Sequence, residues 1–174
     1  MIKKLRKFLL LILITVIYIP FSTNAQLHEP VQWETLVNYT DNNEAEILFE
    51  ANIEEKWHIF AQSSNPKGSM PLSINFEKNN NFELIGKLKE PKPIEEFDDV
   101  FQVYVRYFVN NVTFKQKIKI LSEKSFIING TIDYQSCIDG MCVPGSFDFD
   151  LNIKGAKNTI QKVFDTTNII SKKN

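Results

Sequence analysis

A period of two runs through most of this chain and confines it to β-structure. Ala45, Ile47, Phe49, Ala51 and Ile53 alternate with Glu46, Glu50, Asn52 and Glu54, broken only by Leu48. Leu72, Ile74 and Phe76 alternate with Ser73, Asn75 and Glu77. Val112, Phe114, Gln116, Ile118 and Ile120 alternate with Thr113, Lys115, Lys117 and Lys119, and Phe147, Phe149, Leu151 and Ile153 with Asp148, Asp150, Asn152 and Lys154. Successive strand residues point to opposite faces, so this pattern marks antiparallel strands with one face in a core and one in water. Residues 31–39, 57–62, 82–88, 103–109 and 126–134 read as further strands, with turn-forming clusters at 41–43, 63–68, 78–81, 110–111 and 122–125.

About eight or nine short strands without a long helical period predict an all-β sandwich. The 14 Phe, 5 Tyr and 2 Trp suit the inner faces of two packed sheets. Trp57 is expected in that core, and His58 beside it should point the other way, as a surface or packing residue. Residues 90–99 hold Pro91 and Pro93 and cannot be an interior strand, because proline removes ladder donors. They read as a long loop crossing between sheets, running through acidic residues into Val100 and Phe101. In the tail, residues 155–174, Ile160, Val163 and Phe164 stand at helical spacing before Asn and Lys, which fits either a short docked helix or a frayed end.

Both cysteines, Cys137 and Cys142, lie between the two last strand-like stretches with four residues between them. Asp139-Gly140 is a tight-turn pair, so a hairpin with one cysteine on each arm is expected, and the sulfurs then come within disulfide reach. Three roles fit that spacing. A structural cross-link over so short a loop contributes only about 2 kcal/mol, against more than about 4 kcal/mol for one spanning most of a domain. A redox-active dithiol requires short spacing, because the second thiol must reach the mixed disulfide made by the first. Metal binding is the third: two thiols supply half of a tetrahedral zinc site, and Met141 beside Cys142 is a soft ligand for Cu(I).

Lys3, Lys4, Arg6 and Lys7 precede an apolar run of 14 residues, 8–21, which is shorter than the roughly 20 that span a membrane. Ser22, Thr23, Asn24 and Ala25 then suit cleavage after Ala25, so residues 1–25 read as a secretory signal peptide and 26–154 as one domain. Removing them takes four basic residues from 20, leaving 16 against 21 acidic ones, a net charge of −5. An acidic exported domain is a poor partner for nucleic acid. Its compartment permits disulfides.

Tyr134 and Gln135, then Cys137, a short gap, Cys142 and Pro144 resemble the active-site hairpin of the N-terminal periplasmic domain of the DsbD thiol–disulfide reductase family. The Trp57 strand, Gly68 and Pro71 after it, and residues 97–108 are also similar to that domain as it occurs in Bacteroidetes-like bacteria, over roughly residues 28–154. The resemblance implies an immunoglobulin-like sandwich with the dithiol on a hairpin and no cofactor. It implies a thiol:disulfide oxidoreductase in the periplasm. Such a domain passes electrons from a membrane electron-transfer protein, through a thioredoxin-like domain, to periplasmic disulfide isomerases and cytochrome c maturation proteins. By position, Cys142 matches the cysteine that meets partners and Cys137 the resolving one. A cap loop with a shielding aromatic side chain falls at Asp98, Asp99, Val100 and Phe101. Counting along the family pattern puts Val100 at the shield, whereas side-chain type favours Phe101.

The chain also departs from that pattern. The gap between its cysteines is one residue shorter than in the best-known enterobacterial form, and Gly145 stands where that form has a second proline. No transmembrane segments or thioredoxin-like domain follow, so a separate membrane partner is expected. Asp139, with Asp98 and Asp99 in the cap, should disfavour a thiolate and keep the dithiol slow toward stray disulfides. The competing expectation is a secreted β-sandwich module that binds a protein or a metal and carries an inert structural disulfide.

Overall fold

The computed structural model describes residues 28–40 and 42–156. Among them are ten strands: β1 (Val31–Tyr39), β2 (Glu44–Ile53), β3 (His58–Phe60), β4 (Ser73–Phe76), β5 (Phe82–Lys89), β6 (Ile94–Asp98), β7 (Val103–Phe108), β8 (Asn111–Ile120), β9 (Phe126–Ile138) and β10 (Met141–Ile153). No helix occurs among the described residues. The strands form two sheets, one ordered β1-β2-β8-β5 and the other β10-β9-β3-β7-β6, with β4 also paired to β9. Every pairing is antiparallel. The first order and the β10-β9-β3 part of the second correspond to the ABED and GFC arrangement of immunoglobulin domains. The chain is an all-β immunoglobulin-like sandwich.

The period-two residues supply the core between the sheets. Ile47, Phe49, Phe114, Ile118, Ile128 and Ile132 are fully buried. Aromatic rings lock the two sheets together: Phe49 meets Phe149 across the interface at 5.1 Å, and Phe108 meets Phe114 edge-on at 5.5 Å. Such pairs contribute beyond their buried area. Trp57 is buried in this core.

One inward position on β8 is polar. Gln116 is buried on β8, and its amide donates to the carbonyls of Lys117 (2.8 Å) and Ile85 (3.2 Å). There the β5–β8 register shifts between Ile85 and Lys89, with Gly86 at φ +69°. The irregular backbone leaves carbonyls that the Gln116 amide satisfies, which removes the cost of burying it.

Residues 90–99 do not form the expected loop throughout. Ile94–Asp98 pairs with β7 as the outermost strand of its sheet. Pro91 and Pro93 precede it, and an edge strand is where neighbouring prolines are tolerated. The expected signal peptide, residues 1–25, and the tail beyond residue 156 lie outside the described residues.

Candidate functional site

β9 and β10 form a hairpin in which every residue from Phe126 to Ile138 has a partner between Ile153 and Met141. Only Asp139 and Gly140 are left for the turn, and Gly140 adopts φ +75°, a conformation that favours glycine. Cys137 stands directly opposite Cys142, with Cα atoms 4.1 Å apart and the sulfurs joined in a disulfide. The cysteines therefore sit within the two strands at their distal end.

Strand alternation sorts the surroundings into two faces. Tyr134, Ile138 and Val143 belong to the core between the sheets. Cys137 belongs to a separate small cluster with Phe60 and Val105, against which Val103 and Tyr107 pack. That cluster lies on the outer face of the six-stranded sheet. The disulfide is asymmetric there: Cys137 is 3% exposed, whereas Cys142, on the edge strand, is exposed.

His58 completes the row. It is the register partner of Cys137 on the other side of β9, so His58, Cys137 and Cys142 lie side by side across three adjacent strands. Its ring packs edge-on against Phe60 at 5.2 Å and tilted against Tyr107 at 4.9 Å. Burial lowers the imidazole's pKa below its ordinary value, and the negative charges of Glu96 and Asp139 oppose that. Tyr107 donates its hydroxyl to Glu96 (2.8 Å), and this bond, with partial burial, raises the phenol's pKa. Sequence alone identified His58 as outward-facing. Its place beside Cys137 depends on a pairing between residues far apart in the chain.

The other expected site residues separate in space. Gln135 shares the sulfurs' face and accepts a hydrogen bond from the Met70 N–H (3.0 Å), tying the loop after β3 to the cysteine strand. Pro144 is opposite Gln135, also on that face, and exposed. Asp139 is exposed in the turn. Tyr134 faces the other way, 5% exposed against Trp33 at 5.5 Å, so it shapes the hairpin from the core side. Burial raises its pKa.

Asp98, Asp99, Val100 and Phe101 make the turn between β6 and β7. The Asp98 carboxylate accepts the N–H groups of Val100 (2.8 Å) and Phe101 (2.9 Å), and Gln102 donates its side-chain amide to the Asp99 carbonyl (2.7 Å). Asp98 thus fixes the shape of the tip. Val100 is 84% and Phe101 55% exposed, and Cys142 is exposed as well. Among the described residues no group of three or more His, Cys, Asp or Glu is placed to hold a metal ion.

A solvent-facing sulfur joined to a buried one, on a rigid hairpin, can do disulfide exchange at one end only. The structure is similar to the N-terminal periplasmic domain of ScsB from Proteus mirabilis, with a TM-score of 0.56 and 14% identity, over 80% of this chain and 53% of that one. It also matches the reduced DsbD N-terminal domain of Neisseria meningitidis (TM-score 0.45, 13% identity, 72% of this chain and 86% of that one). A third match is to the complex of the DsbD and PilB N-terminal domains from the same organism (TM-score 0.47, 13% identity, 78% and 94%). At these identities the likeness is one of fold. No curated protein matches the chain. The family model described as "Thiol:disulfide interchange protein DsbD, N-terminal" matches residues 25–153, both cysteines included, and the chain belongs to that family.

Proposed function

We propose that this chain is a periplasmic relay domain that carries electrons between a membrane-linked, thioredoxin-like reductase and periplasmic disulfide proteins, using Cys137 and Cys142. Disulfide isomerases and cytochrome c maturation proteins are the recipients that this reading implies. The observation that carries it is the asymmetry of the pair, with Cys142 exposed and Cys137 buried beside it. A purely structural cross-link is a weaker account, because β9 and β10 are already paired along their whole length. Closing so short a loop adds only about 2 kcal/mol to such a hairpin.

The reduction potential tests this. In a glutathione or dithiothreitol buffer the pair should equilibrate between about −180 and −270 mV, where exchanging disulfides lie. A value well below about −300 mV identifies a structural disulfide and favours the binding-module alternative. Reduction should also leave cooperative unfolding intact.

In this reading residues 98–101 cap the site. Truncating Phe101 to Ala should accelerate reduction by dithiothreitol while leaving the potential nearly unchanged, because exchange rate depends on access. Phe101 is 55% exposed, so the stability change should stay within about 0.5 kcal/mol. An unchanged rate removes Phe101 from the cap.

A further inference from the structure

We propose that His58 is the proton acceptor for Cys137 in the step that resolves the mixed disulfide. The inference rests on the exchange function above and assigns a residue to its second half.

Cys137 is 3% exposed, among Phe60, Val105, Val103 and Tyr107. Such apolar surroundings disfavour a thiolate, yet only the thiolate attacks a disulfide. The buried thiol therefore needs a base at hand. Directly opposed residues on antiparallel strands have Cβ atoms roughly 4.5–5.5 Å apart, which brings an imidazole within reach of the neighbouring sulfur. His58 holds that position beside Cys137, while Cys142 holds the one on the opposite side. The titratable groups that face this row are few. Tyr107 on β7 is committed to Glu96 on β6 through its hydroxyl. Asp139 in the turn and Glu96 bear carboxylates, whose charges stabilise an imidazolium once it forms. Burial lowers the pKa of His58 and so favours the neutral imidazole, the form that accepts a proton. Phe60 and Tyr107 hold its ring over the outer face.

The step balances as follows. The Cys142 thiolate attacks a protein disulfide, forms a Cys142–partner bond and releases the partner's other sulfur as a thiolate. Cys137 then gives its proton to an imidazole nitrogen of His58. Its thiolate attacks Cys142 Sγ, the Cys142–partner bond breaks, and the Cys137–Cys142 bond forms. The partner leaves as a second thiolate, reduced by two electrons, and the imidazolium proton passes to it or to water.

Reduced full-length chain mixed with oxidised glutathione, with acid quenching and mass spectrometry, gives the lifetime of the glutathione adduct on Cys142. His58→Phe keeps a ring between Phe60 and Tyr107, and His58→Gln keeps a polar group. At pH 7 the adduct should persist about tenfold longer or more in both variants, as expected for loss of a general base. The gap from wild type should narrow steadily as pH rises above about 9, as more of the thiol ionises unaided. Wild-type resolution in His58→Phe, or a slowing that is equal at every pH, assigns His58 to packing and overturns the proposal. If the variants fail to fold, the His58 imidazole titration followed by NMR decides. Coupling to a neighbouring thiol makes the reduced wild type differ from reduced Cys137→Ala, and identical curves overturn the proposal. No adduct and no disulfide in the wild type removes the exchange reading itself, and this inference with it; normal adduct formation with unaltered resolution removes only His58.

Discussion

Cys137→Ser should accumulate a mixed disulfide with a thioredoxin-like partner, and Cys142→Ser should accumulate little. Exchange needs an incoming thiolate to approach one sulfur in line with the bond it breaks. Cys142 lies exposed on the edge strand β10, whereas Cys137 is 3% exposed and packed with Phe60 and Val105. On the proposed reading the partner should therefore bond to Cys142, and Cys137 should be the thiol that releases it. Without Cys137 the adduct has no internal exit, so a non-reducing gel of periplasmic extract should show a band that dithiothreitol removes. The yield with Cys137→Ser should exceed that with Cys142→Ser on the order of tenfold, set by access and by the missing resolving thiol. The reverse pattern exchanges the two roles and leaves disulfide exchange standing. No adduct with either variant counts against a relay.

Local pattern carried most of the fold. Strands β2 and β8 alternate apolar and polar residues along their length, so both their existence and their buried faces follow from residue order. Strand β6 was hidden for a physical reason. It is an edge strand whose residues are exposed on both faces, so no apolar alternation marks it. Its one structural requirement is a backbone ladder to β7, which leaves no signature in side-chain type. The Asp139-Gly140 turn was legible because a two-residue connection demands a conformation that glycine adopts easily.

The site was legible along the hairpin and opaque across the sheet. Placing Cys137 opposite Cys142 needs only the turn and the period of two. The same parity puts Tyr134 on the face opposite Cys137, which a motif read as a string of letters conceals. His58 and Phe60 meet Cys137 only through the β3–β9 register, and Val105 joins them through β7. Those pairings are set by how two sheets close around a common core, which no local stretch encodes. The β6–β7 turn shows the same division. Its acidic residues are visible in sequence, but the use of Asp98 as an acceptor for two backbone N–H groups emerges only from the turn it builds.

Gly145→Ala should destabilise the domain by about 1–3 kcal/mol, the usual cost of forcing atoms into a filled site. A Cβ at Gly145 meets the Tyr134 ring, at 2.3 Å from Cζ and 2.6 Å from Cε2. The two residues are register partners, so the ring lies over the glycine. The ring has little room to retreat, because Tyr134 is 5% exposed and packs on Trp33. Urea unfolding of Gly145→Ala, Tyr134→Val and the double variant separates the cause from any general dislike of alanine at this position. In the Tyr134→Val background the alanine should cost almost nothing, giving a coupling energy close to its full single-variant cost, as expected for residues in contact. An equal cost in both backgrounds excludes the ring as the obstacle. Because Tyr134 faces the core and the cysteines face outward, the folded Gly145→Ala protein should still react with dithiothreitol at the wild-type rate. A changed rate in the folded variant means that the two faces of the hairpin are coupled, and that Tyr134 influences the disulfide through the strand itself.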